Sequence, residues 1–216
     1  MRIVSKLIGL TILCAATLVA KADNEASMLT NTCLVCHGNN GASIGPAIPN
    51  LSSMSRNYLM GAMLAFKYEA EDELNAVINS DHAFADVEAF NRNSTIMNRI
   101  AKGYTEDEIK NLAEYFSEQE LSIAQQEVNP SQVQLGKKLH TKYCASCHEN
   151  EGKSSDDDTG VLAGQWKPYF LYTMSDYLDG SRAMPKKMKN KLKKMLESSG
   201  EDSLIELANY YASVSR

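Results

Sequence analysis

The sequence predicts an all-α protein built as two tandem domains of similar plan. Three observations predict it. Little in either half alternates apolar and polar residues with period two, as a half-buried strand would. The pattern Cys-x-x-Cys-His occurs twice, at Cys33-Leu34-Val35-Cys36-His37 and Cys144-Ala145-Ser146-Cys147-His148, 111 residues apart. Each occurrence is followed by a Gly/Ser-rich loop, a helical stretch, a methionine and a closing helix.

The N-terminus reads as a secretory signal. Arg2 and Lys6 form a positive flank, Leu7 to Val19 an apolar core, and Ala20-Lys21-Ala22 a small-x-small cleavage site, so residues 1–22 are expected to be removed. The apolar run is shorter than the ~20 residues that span a bilayer, so no membrane span is expected in the mature chain and the periplasm is the expected compartment. Cys14 falls within the signal, preceded by Leu13 where a lipid-attachment site wants a small residue. Removing Arg2, Lys6 and Lys21 leaves 19 basic residues against 27 acidic, or -8. Such a balance repels nucleic acid, which is not an expected partner.

Domain 1 is expected over 23–121. Asn57–Lys67 reads as its middle helix. Thr105 and Glu108 form a capping box before the closing helix, whose Ile109, Leu112, Ala113 and Phe116 keep helical spacing. Glu69–Asn93 is an acidic insertion, read as an added helix or a solvated surface loop. A linker is expected over 122–134, around Asn129-Pro130, and domain 2 over 135–216. There Pro168–Leu178 is the middle helix. The closing helix is expected from near Ser199, with Asp202 as its capping partner, and Leu204, Leu207, Ala208 and Tyr211 repeat the stripe. Each domain is small for a side-chain core alone, and a buried cofactor would supply much of the interior.

Cys-x-x-Cys-His is the attachment signature of a c-type haem. Residues i and i+3 share a helix face, so both thiols can reach the vinyl groups on one porphyrin edge, and the histidine that follows can ligate iron. Cys33, Cys36, Cys144 and Cys147 are therefore the candidate covalent anchors of two haems c, with His37 and His148 the candidate axial ligands. A structural zinc site would use the four cysteines but leave two identically placed histidines idle. A thioredoxin-like pair needs a βαβ context that is absent.

A methionine on the other face of the iron would raise the reduction potential. Of the ten methionines, Met97 stands on a loop leading straight into the capped helix, where an axial ligand is needed. In domain 2 Met188 is preferred, then Met184, then Met195. The spare histidines are His82, in the insertion, and His140, expected to point outward. Pro49 and Gly160 are placed to offer the backbone carbonyl that fixes a ligating imidazole's tautomer. Gln165, Trp166, Tyr169 and Tyr58 line a haem crevice or serve as core or interface residues.

The stretches Ser94–Tyr104, Lys138–Tyr143, Leu162–Tyr169 and Met184-Pro185-Lys186-Lys187-Met188 resemble the dihaem cytochrome subunit of flavocytochrome c sulfide dehydrogenase. More broadly the chain resembles soluble carriers made of two fused class I cytochrome c domains. The resemblance spans nearly all the mature chain except Glu69–Asn93. It implies two class I cytochrome c domains, each wrapped round a covalent haem, in a periplasmic heterodimer with an FAD-containing flavoprotein that oxidises sulfide. Electrons would pass from the flavin through the haems to a small acceptor protein. The chain has no dinucleotide fingerprint of its own, so flavin chemistry would lie on the partner and no catalytic residue is expected here. A free-standing shuttle to a terminal oxidase is the alternative, and a haem enzyme with an open iron position, such as a peroxidase, a third reading.

Overall fold

The computed structural model describes residues 28–215. The expected signal peptide and Cys14 lie outside them. Among the described residues there is no strand, only one isolated bridge between Arg92 and Arg182, so the all-α expectation holds. No helix among them is long and apolar enough to cross a membrane.

The first half begins with a helix over 28–37 (α1). Helix α2 (Arg56–Lys67) is started by Ser55, whose hydroxyl accepts from Tyr58 N–H at 3.0 Å, and buries Leu59, Met60 and Leu64. The insertion folds as α3 (Glu71–Ser80) and a 3-10 turn, His82–Phe84. It is not a solvated loop. Leu74 and Phe84 are 2% and 0% exposed and join the first core with Val87. Its acidic residues form the outer face, and three of them occupy the first turn of α3, where the helix dipole favours them. Gly61 admits this segment: a Cβ there would lie 2.3 Å from the Glu88 carbonyl oxygen. Short α4 (Met97–Ala101) and α5 (Glu106–Ser117) complete the half. The capping box is present, with Glu108 N–H donating to Thr105 Oγ1 at 3.2 Å and Thr105 N–H to Glu108 Oε2 at 2.7 Å.

In the second half α6 (Pro130–Leu139) begins inside the expected linker, with Asn129 as N-cap and Pro130 at the first helical position. It runs into a π turn, His140–Cys144. One-turn α7 (Glu149–Gly152), with left-handed Asn150 and Glu151, leads to α8 (Lys167–Asp179), α9 (Lys186–Ser199) and α10 (Asp202–Ser213). Ser199 ends α9 rather than starting α10, because Gly200 breaks the chain at φ 75°. Helix α10 has no side-chain cap; Ser203 instead turns its hydroxyl back to the Gly200 carbonyl at 2.5 Å. Helices α6 and α10 cross at Gly136, where a Cβ would meet the Glu206 carbonyl oxygen at 2.1 Å.

The halves repeat in detail. Leu51 N–H donates to Gly41 O and Leu162 N–H to Gly152 O, both at 2.9 Å. Phe116 packs on Gly41 as Tyr211 packs on Gly152, each 3.0 Å from a Cβ placed there. Each half has an apolar cluster, and Val161 of the second half packs into the first.

Candidate functional site

Both attachment motifs lie where a polypeptide turns beside its core. Cys33 and Cys36 occupy the last turn of α1, which ends at His37. Cys33 is half-buried and Cys36 exposed. The second motif departs from the expected α-helix. Cys144 closes the π turn, Ala145 N–H donating to His140 O at 2.9 Å, and Cys147 and His148 both donate backbone N–H to Cys144 O, at 3.1 and 3.0 Å. The tight turn still brings Cys147 and His148 back over Cys144. Cys144 is half-buried and Cys147 exposed, repeating the first motif.

None of Cys33, Cys36, Cys144 and Cys147 is joined in a disulfide. Among the described residues no group of three or more His, Cys, Asp or Glu converges on a point, so the zinc arrangement is not built. Burial pushes the Cys33 and Cys144 thiols above their ordinary range.

The histidines are held alike. His37 Nδ1 lies 2.9 Å from Pro49 O and His148 Nδ1 lies 3.2 Å from Gly160 O. A carbonyl only accepts, so Nδ1 must carry the proton and Nε2 is the free lone pair, as an iron ligand requires. Burial lowers both imidazole pKa values, that of His148 to about 4. The rings are therefore neutral and ready to bind metal. Free thiol pairs, each followed by an oriented neutral imidazole, fit a covalent haem: the thiols would hold the vinyl-derived carbons, and Nε2 the iron.

Met97 is half-buried at the start of α4. Its loop is fastened by Ser94 and Asn98: Met97 N–H donates to Ser94 Oγ at 3.2 Å, and Ser94 N–H to Asn98 Oδ1 at 2.9 Å. Met188 lies half-buried in the first turn of α9 against the second core, and Met184 half-buried in the loop before it. Met195 is 1% exposed within that core and is a packing residue. His82 sits on the insertion. His140 points inward, not outward: it is 4% exposed, and its Nδ1 lies 3.0 Å from Tyr211 Oη. It lies four residues after Gly136 and next to Leu139, the two buried residues of α6, so the helix's own spacing turns it to the core.

Trp166 packs neither in its own core nor on an open face. It covers Gly45 of the first half, where a Cβ would lie 2.3 Å from its ring, and its Nε1–H donates to Ser43 O at 3.1 Å. Sequence reasoning missed two further seam residues, Arg92 and Arg182. The available signal was the repeat itself, since Arg92 stands five residues before Met97 and Arg182 six before Met188.

Residues 23–119 match the family model described as "Cytochrome c", and residues 131–195 the one described as "Cytochrome C oxidase, cbb3-type, subunit III". A cytochrome c-552 of Acidithiobacillus ferridurans is 25% identical over 179 residues, covering 78% of this chain and 70% of that protein. The cytochrome subunit of sulfide dehydrogenase from Chlorobaculum tepidum is 32% identical over 94 residues, 44% of this chain and 66% of that protein. Reduced recombinant cytochrome c4 from Pseudomonas stutzeri shares the fold, with a TM-score of 0.69 at 21% identity over 89% of this chain and 98% of its own.

Proposed function

From the premise that this chain is an electron-transfer cytochrome c with two domains and two covalently bound haems c, we propose that it is the periplasmic cytochrome subunit of a sulfide dehydrogenase. It accepts electrons from an FAD-containing flavoprotein and passes them to a small acceptor protein. The observation that carries this is the 32% identity to the cytochrome subunit of sulfide dehydrogenase, supported by the resembling stretches around Met97 and Trp166.

Bound haem supplies a one-electron ferrous/ferric couple. The chain's residues set its terms. Cys33, Cys36, Cys144 and Cys147 anchor it, so that it is not lost outside the cell. His37 and His148, oriented by Pro49 and Gly160, would offer Nε2 to the iron. Met97 and Met188 would supply thioether ligands, which would raise the potential and leave no position for substrate.

The test is purification from native membranes-free extract under mild conditions. A co-purifying FAD-containing chain is expected; added sulfide should then reduce both haems in the complex and neither in the isolated subunit. A free-standing shuttle is the second reading, favoured by the cytochrome c-552 relative whose likeness spans 78% of this chain. Purification without flavin, with fast oxidation by a terminal oxidase, would replace the first reading by the second.

A further inference from the structure

Helix α9 carries six lysines in nine residues, Lys186 to Lys194, in a chain of net charge -5. All six are exposed. Among the described residues only Lys193 of the six forms an ion pair, with Glu197 at 3.7 Å. Folding does not account for them. Like charges three or four residues apart on a helix repel, as Lys187 with Lys191 and Lys191 with Lys194 do here. Lys186 and Lys187 also open the helix at the positive end of its dipole, while its last turn holds no cation.

The apolar side of α9 is already committed. Met188, Leu192, Met195 and Leu196 pack in the second core, and every exposed residue of the helix is polar. A helix that lies on lipid buries an apolar face there, and α9 has none left to bury. Its lysine face stands instead beside the second attachment motif. The helix packs against the π turn that ends at Cys144, and it carries the candidate ligand Met188. Burial raises the Cys144 thiol, and the Tyr211 hydroxyl and the Lys191 ammonium oppose that rise. The first half differs at the equivalent positions. Ile96 and Ile100, 64% and 36% exposed, flank Met97 where Lys187 and Lys191 flank Met188. The surface beside one candidate ligand is apolar and that beside the other is cationic.

We propose that the lysine face of α9 is the docking surface for a small acidic one-electron acceptor protein, which takes its electron from the second haem. The acceptor is reduced by one electron as ferrous iron there becomes ferric; no bond forms or breaks and no proton moves. Complementary charge speeds encounter and fixes orientation more than it adds affinity, which suits a partner that must leave after each electron. The inference deepens the reading above, resting on its small acceptor protein, and needs neither sulfide nor a flavoprotein.

The test mixes the dithionite-reduced two-haem holoprotein with an acidic blue-copper protein and follows electron transfer by stopped flow. A basic blue-copper protein of similar potential is the opposite probe. Lys187→Gln with Lys191→Gln should slow reduction of the acidic probe about tenfold at low salt, within the range by which charge steering raises on-rates. The wild-type rate should fall steeply with added salt and the variant's less so. Arg99→Gln with Lys102→Gln removes the same charge beside Met97 and should leave the rate near wild type. Sedimentation of the oxidised proteins together checks docking apart from turnover: the α9 variant should lose the complex with the acidic probe. Haem content and both potentials are measured alongside. Equal slowing by the two double variants would reduce the effect to net charge and overturn the proposal, as would an α9 variant that kept wild-type rate and complex. Two other occupants would also overturn it. One is a lipid surface, shown if the wild type binds phosphatidylglycerol vesicles, the α9 variant does not, and the acidic probe forms no complex. The other is a second copy of this chain, shown if the wild type self-associates at low salt through α9 and excludes the probe.

Discussion

Asn50 and Gln165 hold each other across the domain seam by two reciprocal hydrogen bonds. Asn50 N–H donates to Gln165 Oε1 at 3.0 Å, and Gln165 Nε2–H to Asn50 O at 2.9 Å. The Asn50 side chain extends the network, accepting from Ser43 N–H at 2.9 Å and donating to Gly164 O at 3.0 Å. They are 2% and 5% exposed, so water cannot replace a lost partner.

Gln165→Leu strands both the Asn50 N–H and the Asn50 carbonyl. A buried polar group left unsatisfied costs about 1–3 kcal/mol, and the expected loss of unfolding free energy is in that range. The Asn50→Ala change should cost as much, and the double variant less than the sum, because both act on one network. Denaturant unfolding in a double-mutant cycle measures this, and strict additivity would show that the pair is not coupled.

Trp166 belongs to the same seam, which changes what its removal should do. Trp166→Ala should destabilise the isolated subunit and loosen one half against the other, visible as faster proteolysis at the 122–129 connection. A variant that kept wild-type stability and lost only partner affinity would instead make Trp166 an external docking anchor.

At Gly136 the α6–α10 crossing leaves no room for a side chain, the Glu206 carbonyl oxygen standing 2.1 Å from the position of a Cβ. Backbone must shift to admit one. Gly136→Ala should cost about 1–3 kcal/mol, the usual range for overpacking. Unfolding at wild-type urea concentration would show that the helices can part without penalty.

The anchoring residues predict cofactor loss by halves. Cys33→Ser with Cys36→Ser should leave one haem per chain by pyridine haemochrome assay, and Cys144→Ser with Cys147→Ser should do the same. A double variant that retains two covalent haems would remove those cysteines from the role.

Axial methionines give a separate signature. The oxidised protein should show the near-infrared sulfur-to-iron band, and Met97→Ala and Met188→Ala should each remove about half of it and lower one potential, since thioether ligation raises it. If Met184→Ala halves the band while Met188→Ala leaves it intact, the ligand is Met184, four residues earlier in the loop before α9.

The sequence by itself determined what depends on short-range chemistry. Cys-x-x-Cys-His marked both candidate haem sites, helical spacing located α2, α5 and α8 to within a residue or two, and Thr105/Glu108 marked the start of α5. Pro49 and Gly160 were also legible, because a histidine's carbonyl partner twelve residues on follows from the loop that returns the chain to the cofactor. Tertiary structure decided the rest. The polar insertion reads as solvated because its apolar residues are few, yet Leu74, Phe84 and Val87 find a core that only the folded α2 and α5 present. His140 turned inward because it shares the α6 face of Gly136 and Leu139, and only the packing of α10 makes that face a buried one. Asn50 with Gln165, Trp166 on Gly45, and Arg92 with Arg182 pair residues 90 to 121 apart in the chain. No local pattern encodes such pairs. Each residue is an ordinary turn or surface type alone, and its role arises only when two separately folded halves exclude water from the face between them.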